Sequence, residues 1–266
     1  MPKSANVILT RPLAQSRELA EKLLALGYAV DMFPLLEIAG LPKSGELYRQ
    51  LQSVLDNLQR YAMAAFVSPN AIHAVFADGL QWPSEVAIAV MGEGSRSTLA
   101  EYGINDSNTR IFSPTDSFRS DSETLLENLD LAALRGRSVV IFRSETGREL
   151  LADALIKEGV GVDKIIAYQR LIPTLTAEHV KQLGALMAGS GIWVVSSSEA
   201  LRTLENMVTH LAGENPGADA VVKLHQVNLW VSHHRIAQNA EKSGFKRVQL
   251  IGSGDENLLL ALQSRL

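Results

Sequence analysis

A chain of 266 residues that is 46% hydrophobic and 20% charged has the composition of a globular protein with room for two domains of ordinary size. It contains no cysteine, which excludes disulfides, thiolate metal sites and cysteine nucleophiles. A formal net charge of −4 argues against broad electrostatic attraction to nucleic acid or acidic membranes, so neither is expected as a partner.

Apolar runs of four to six residues alternate with amphipathic stretches of ten to fifteen, which predicts an α/β fold built on parallel sheet. Met1-Pro-Lys-Ser leads straight into a first strand, Asn6–Thr10. No apolar leader and no run near twenty apolar residues occurs, so a cytoplasmic location is expected. A helix follows in which Leu19, Leu23, Leu24 and Leu26 read as a buried apolar stripe, closed by Gly27 as a left-handed cap. Further strands are predicted at Ala29–Phe33, Ala64–Val67, Ala87–Met91, Arg110–Phe112, Ser138–Phe142 and Lys164–Tyr168. Three more follow at Ile192–Val195, Val227–Val231 and Arg247–Ile251. Leu151, Leu155 and Ile156 form a second buried stripe before Gly159, and residues 41–45 and 210–219 read as loops.

Half of this pattern repeats the other half. Asn6-Val-Ile-Leu-Thr-Arg11 and the helix from Arg17 to Gly27 match Ser138-Val-Val-Ile-Phe-Arg143 and the helix from Arg148 to Gly159. Both Arg11–Arg143 and Gly27–Gly159 are 132 positions apart. The match continues from Ala65-Phe-Val-Ser68-Pro-Asn-Ala71 to Trp193-Val-Val-Ser-Ser197-Ser-Glu-Ala200. It also runs from the Gly92–Gly103 segment to Ser232–Gly244, and from Thr115–Leu129 to Ser253–Leu262. Three strand–helix units thus occur twice, which predicts two similar lobes and, taken alone, a boundary near residue 136. Related lobes commonly take a ligand between them.

In a parallel sheet every strand-to-helix turn lies at one edge, where helix N-termini offer free N–H groups. The turns here are Thr10-Arg-Pro, Ser68-Pro-Asn, Gly92-Glu-Gly-Ser95, Arg143 to Arg148, Ser196-Ser-Ser and Ser232-His-His. Serine and asparagine are favoured at helix caps for purely structural reasons. Capping does not account for an arginine after two equivalent strands, so Arg11 and Arg143 are expected to pair with a carboxylate of the protein or of a ligand. Gly92-Glu-Gly-Ser is an incomplete dinucleotide fingerprint. His233 and His234 are adjacent and cannot share one metal from a helix, and no histidine pair has ligand spacing. The serines lack a nucleophile elbow. These residues describe an enzyme or binder with no metal, no cofactor and no activated nucleophile.

An ordered set of short motifs resembles the uroporphyrinogen-III synthase family along the whole chain. In the first half they are Leu9-Thr-Arg-Pro12, Phe33-Pro-Leu35, Phe66-Val-Ser-Pro-Asn-Ala71, Gly92 through Gly103 and Ser122-Glu-Thr-Leu125. In the second they are Arg143 through Gly147-Arg-Glu-Leu150, Tyr168-Gln-Arg170, Ser196-Ser-Ser-Glu-Ala200, Ser232 through Gly244 and Asn257-Leu-Leu. Ser232-His-His-Arg stands where the family commonly has glycine then threonine. The resemblance implies two flavodoxin-like, three-layer parallel-sheet lobes joined by a two-stranded connector. Residues 1–36 with 174–266 would form one lobe, 39–166 the other, and 33–38 with 167–173 the connecting strands. It implies a lyase that cyclises hydroxymethylbilane to uroporphyrinogen III in the interlobe cleft, with loss of water and inversion of ring D, in tetrapyrrole (haem) biosynthesis.

No cofactor is implied. A monomer is, in transient contact with the preceding pathway enzyme. Substrate carboxylates would be held by Arg11, Ser68, Asn70, Gly92, Ser95, Ser122, Arg143, Gly147, Arg148, Ser197, Ser198, Ser232 and His233. Tyr168 is the expected catalytic donor, because a phenol at a strand end can hydrogen-bond a departing hydroxide. The other reading is a non-catalytic two-lobe sensor of tetrapyrrole-like anions, though no output segment is evident.

Overall fold

A computed structural model describes residues 6–114, 122–147, 149–211 and 218–264. In chain order its strands are β1 Asn6–Leu9, β2 Ala29–Met32, β3 Glu37–Gly40, β4 Met63–Phe66, β5 Ala87–Val90 and β6 Ile111–Phe112. They continue with β7 Ser138–Ser144, β8 Gly161–Leu171, β9 Ile192–Val195, β10 Asn228–Val231 and β11 Val248–Leu250. Of the loop expected at 210–219, His210 and Leu211 instead end the helix Ser198–Leu211, Ala218 and Asp219 open the helix Ala218–Leu224, and residues 212–217 lie outside the described residues.

Two compact units result, Met1–Glu37 with Leu171–Leu266, and Ile38–Arg170. The division overturns a boundary near 136, and the reason is strand pairing. β1 takes β9 as a parallel neighbour (Val7 opposite Ile192), and β7 takes β4 (Met63 opposite Val139), so each opening strand–helix–strand segment joins strands from the other half of the chain. The first unit's sheet runs β11-β10-β9-β1-β2 and the second unit's runs β3-β8-β7-β4-β5-β6. β3 is absent from the strands read from hydrophobic pattern, because two apolar residues give no alternation long enough to register. It overlaps the connecting strand that the resemblance puts at 33–38 only at Glu37 and Ile38. Residues 33–36, expected inside a connecting strand, lie outside any strand.

Alternate residues of each strand feed different apolar layers, as the period of two requires. On one face of the first sheet Ile8, Trp193, Leu229 and Val231 pack against helix residues Leu183, Leu201 and Leu204. On the other, Val7, Leu9, Ile192 and Trp230 pack against Leu19, Leu23 and Leu258. The second sheet is covered in the same way, by clusters containing Phe66, Ile88 and Phe142 on one face and Met63, Ala89 and Ile141 on the other. Two-sided burial is why these strands read as unbroken apolar runs. Among the described residues no helix is long and apolar enough to cross a membrane.

The sequence repeat becomes a repeat of hydrogen bonds. Gly27 and Gly159 both hold left-handed backbones (φ +85° and +80°). Their N–H groups bond Leu24 and Ile156 carbonyls at 2.9 Å, and the following N–H groups bond Leu23 and Leu155 carbonyls at 3.1 Å. That is the double bond of a glycine C-cap, made twice with the same 132-residue offset.

The expected leucine stripes are narrower than read. Ser16, Leu19, Ala20 and Leu23 are buried on the helix Leu13–Ala25, whereas Leu24 is 57% exposed, Leu26 39% and, on the second helix, Ile156 53%. A residue directly after a buried one is turned 100° away, so adjacency at 23–24 and 155–156 puts the second residue off the core face. Leu23→Ala should therefore lower unfolding stability by about 2–5 kcal/mol, and Leu24→Ala by well under 1 kcal/mol, in urea titrations followed by circular dichroism. Equal costs would contradict the assigned helix face.

Candidate active site

Parallel pairing places the C-terminal ends of β1, β2, β9, β10 and β11 at one edge of the first sheet, and those of β4 to β8 at one edge of the second. At the first edge Arg11 follows β1, and its guanidinium donates to the Asp255 carboxylate at 2.5 Å. Asp255 opens the helix Asp255–Gln263, where an anion also meets the positive end of the helix dipole. The Arg11 backbone is fixed from below: buried Ser16 donates its hydroxyl to the Arg11 carbonyl at 3.1 Å, and buried Thr10 donates to the Val194 carbonyl at 2.7 Å.

Hydrogen bonds tie the neighbouring turns together. The Ser232 hydroxyl donates to the Ser196 carbonyl (3.4 Å), and the Ser253 hydroxyl lies 3.4 Å from the Ser232 carbonyl and 3.0 Å from His233 Nε2. Asn239 donates to Ser198 Oγ at 3.0 Å, and Asn257 donates to the Ser253 carbonyl at 2.6 Å. Ser197 caps its helix by accepting the Ala200 N–H at 3.0 Å. In the second unit Ser68 makes the equivalent bond, accepting the Ala71 N–H at 3.3 Å. Both serine caps are thus the structural kind that sequence alone allowed.

At the second edge Tyr168 lies on β8. Opposite β7, Arg143 faces Ile166 and Ser144 faces Tyr168, so Ala167 is an extra residue in the ladder. This bulge lets Ala167 and Tyr168, which strict alternation would send to opposite faces, enter one apolar cluster. Tyr168 is 1% exposed. Its hydroxyl lies 3.0 Å from Ser68 Oγ and accepts from Arg170 Nη2 at 3.3 Å.

Arg143 is a strand residue, not the turn residue expected, and is buried. It donates to Glu149 at 2.7 Å, and Glu149 also accepts from Lys164 at 3.0 Å. Gly147 sits over that guanidinium; a Cβ there would come within 3.2 Å of Arg143 Nη2. Lys164, and then Arg143, hold the Glu149 carboxyl below the ordinary glutamate value of 4.5.

The other expected residues divide. Gly92 precedes the helix Glu93–Glu101, in which Ser95 is buried, and Asn70 lies in the helix Pro69–Phe76. Ser122 opens the helix Ser122–Glu127, and Arg148 lies outside the described residues. Three participants had no expected role. Arg96 pairs with Asp106 through two bonds (2.8 and 3.1 Å) and with Ser113 (3.1 Å). Asp255 and Arg170 are the others. The positions of Asp255 and Arg96 just inside predicted helix starts were the available signal. Among the described residues no group of three or more His, Asp or Glu is arranged to hold a metal ion.

The family model described as "Uroporphyrinogen-III synthase HemD" matches residues 17–250. The chain belongs to the uroporphyrinogen-III synthase family. Curated uroporphyrinogen-III synthases of Salmonella typhimurium and Escherichia coli are similar to it over their whole length. The first is 28% identical over 263 residues and the second 27% over 260, each covering 97% of this chain and 100% of the relative. Two solved structures share the fold. A mutant uroporphyrinogen III synthase from Thermus thermophilus superposes with a TM-score of 0.59 at 16% identity, covering 98% of this chain and 99% of that one. Uroporphyrinogen-III synthetase from Helicobacter pylori gives 0.60 at 14%, covering 98% and 100%.

The Glu149 cluster makes a pH-resolved prediction. A carboxyl whose folded pKa is depressed adds stability above its unfolded value, and loses it as pH falls through the folded one. Glu149→Gln should lower the melting temperature at pH 7 by roughly 2–4 °C, about 1 kcal/mol once screening at a half-exposed carboxylate is allowed for. The gap to the parent protein should close in melts run below pH 4, as the parent's own carboxyl protonates. A gap that stays constant down to low pH would mean the charge of Glu149 is not what stabilises.

Proposed function

We propose that this chain cyclises hydroxymethylbilane to uroporphyrinogen III with loss of water and inversion of ring D, in tetrapyrrole biosynthesis. The match of the synthase family model over residues 17–250 carries this reading. That match, to an enzyme family, leaves the sensor reading without a feature in its favour. Loss of the terminal hydroxyl gives an azafulvene cation. Attack on it by the substituted carbon of the last pyrrole gives a spiro intermediate, and fragmentation with reclosure inverts that ring. The substrate also closes unaided to the type I isomer, so the enzyme's task is mild acid assistance and strict positioning.

The substrate's carboxylates are met, in this reading, at the C-terminal edge of each sheet by Arg11 and the turns around Ser68, Asn70, Gly92, Ser95, Ser122, Gly147, Ser197, Ser198, Ser232 and His233, with Arg148 as a further cation, while Arg143 is held by Glu149 and supports the second edge from within. Arg11 supports the reading best: it is part-exposed and held by one single-pronged contact, so a ligand carboxylate can replace Asp255. Tyr168 would donate to the leaving hydroxyl once substrate takes the place of Ser68 or Arg170 at the phenol. The first sheet's order β2-β1-β9-β10-β11 is 2-1-3-4-5 within its unit and supports a flavodoxin-like lobe. In the second sheet β8-β7-β4-β5-β6 repeats that order in permuted chain sequence, with β3 added at its edge. The compact units, which divide at 37/38 and 170/171, support lobes at 1–36 with 174–266 and at 39–166. A cytoplasmic monomer that takes its unstable substrate from the preceding pathway enzyme completes the picture.

The deciding measurement is the ratio of type III to type I product from hydroxymethylbilane; a ratio no different from the uncatalysed one would sink the proposal. Within an active enzyme, Tyr168→Phe keeps the ring packing and removes only the hydroxyl. Turnover should fall roughly ten- to a thousand-fold. Full turnover with full type III selectivity would make Tyr168 a packing residue.

A further inference from the structure

The first unit holds a pocket of about 170 Å³ at the C-terminal ends of β1 and β2. Phe33 and Met207 are buried in its wall, Leu13 and Met32 stand large and exposed at its rim, and Glu37 and His179 also line it. We propose that this pocket receives one pyrrole ring of the substrate. The inference rests on the synthase reading and adds a ring subsite to it.

Size comes first. A cavity near 150 Å³ suffices for one benzene, so this one takes a single five-membered ring and not two linked rings. Chemistry comes second. A pyrrole has two apolar faces and one in-plane N–H donor, and therefore needs flat apolar walls and an acceptor at the edge. The walls are Leu13, Met32, Phe33 and Met207. Glu37 supplies a carboxylate that makes no ion pair among the described residues. His179 Nδ1 lies 3.0 Å from the Thr174 carbonyl, to which it donates when protonated, and 3.5 Å from the Thr176 N–H, from which it accepts when not; either way Nε2 is left for a ligand.

Placement comes third. The Phe33 N–H bonds the Leu9 carbonyl at 2.9 Å and the Leu35 N–H bonds the Thr10 carbonyl at 3.0 Å. These bonds extend the β1–β2 ladder past both strands and fix the Met32–Phe33 wall at the C-terminal edge of the sheet.

The test fills the pocket from its exposed rim. Met32→Trp should raise KM for hydroxymethylbilane about tenfold or more, with Leu13→Trp as a second filling variant should Met32→Trp melt early. Glu37→Gln should raise KM several-fold. Leu260→Trp, at an exposed position on the last helix, should leave KM unchanged. Parental KM in both filling variants would overturn the subsite while leaving the synthase reading intact. If the parent shows no type III excess, the synthase reading fails first. The pocket is then judged by titrating the monopyrrole porphobilinogen, followed by NMR. Binding to the parent that Met32→Trp abolishes upholds the pocket, and equal binding or none overturns it.

Discussion

Parallel pairing of the two central strands, β1 and β7, is the constraint on which everything else here depends. A parallel neighbour can be reached only by a crossover, so each strand must be followed by a chain that returns over a face of the sheet. Those crossovers bury both faces, which requires unbroken apolar strands such as Ile192-Trp-Val-Val195. They also bring the C-terminal strand ends of each sheet to one edge, where the Ser- and Arg-bearing turns lie. The hydrogen bonds linking Ser196, Ser232 and Ser253 follow from that geometry: three turns distant in sequence become neighbours because β9, β10 and β11 are.

Much of this was legible in the sequence, for reasons that can be named. The strands were found because two-sided burial writes itself as continuous hydrophobicity. The repeat was found because glycine is needed wherever a helix ends in the left-handed region, and Gly27 and Gly159 mark the same cap. The discontinuous units were illegible from the repeat alone. Which copy of a strand pairs with β1 is decided by side-chain packing between residues some 185 positions apart (Val7 and Ile192), and a local pattern holds no record of it. The bulge at Ala167 was equally hidden, since it is a property of two strands' register and β8 alone reads as ordinary.

The site shows a similar division. Residue types were read well at the turns, because helix starts select Ser, Asn and Gly for reasons that hold locally. Partners were not read. For Arg143 the sequence left open a carboxylate of the protein or of a ligand; the partner is Glu149, which Lys164 of β8 also holds. Tyr168 seemed to stand at an open strand end, yet the bulge turns it into the core against Ser68 and Arg170.

The two repeat-related arginines show how one inherited feature separates into two physical roles. The Arg143 side chain is 9% exposed and is enclosed by Gly147 and a carboxylate that a second cation also holds. Removing a partner from a buried charge leaves that charge uncompensated, so such a pair stays closed and serves the fold. The Arg11 side chain is 26% exposed, its partner Asp255 32%, and one contact joins them. A part-exposed pair of that kind contributes little net stability, so an incoming carboxylate can replace Asp255 at small cost. Position in the repeat is therefore a poor guide to function here. Exposure and the number of competing partners separate the two: Arg143 is anchored inside the fold, and Arg11 is held by one part-exposed contact.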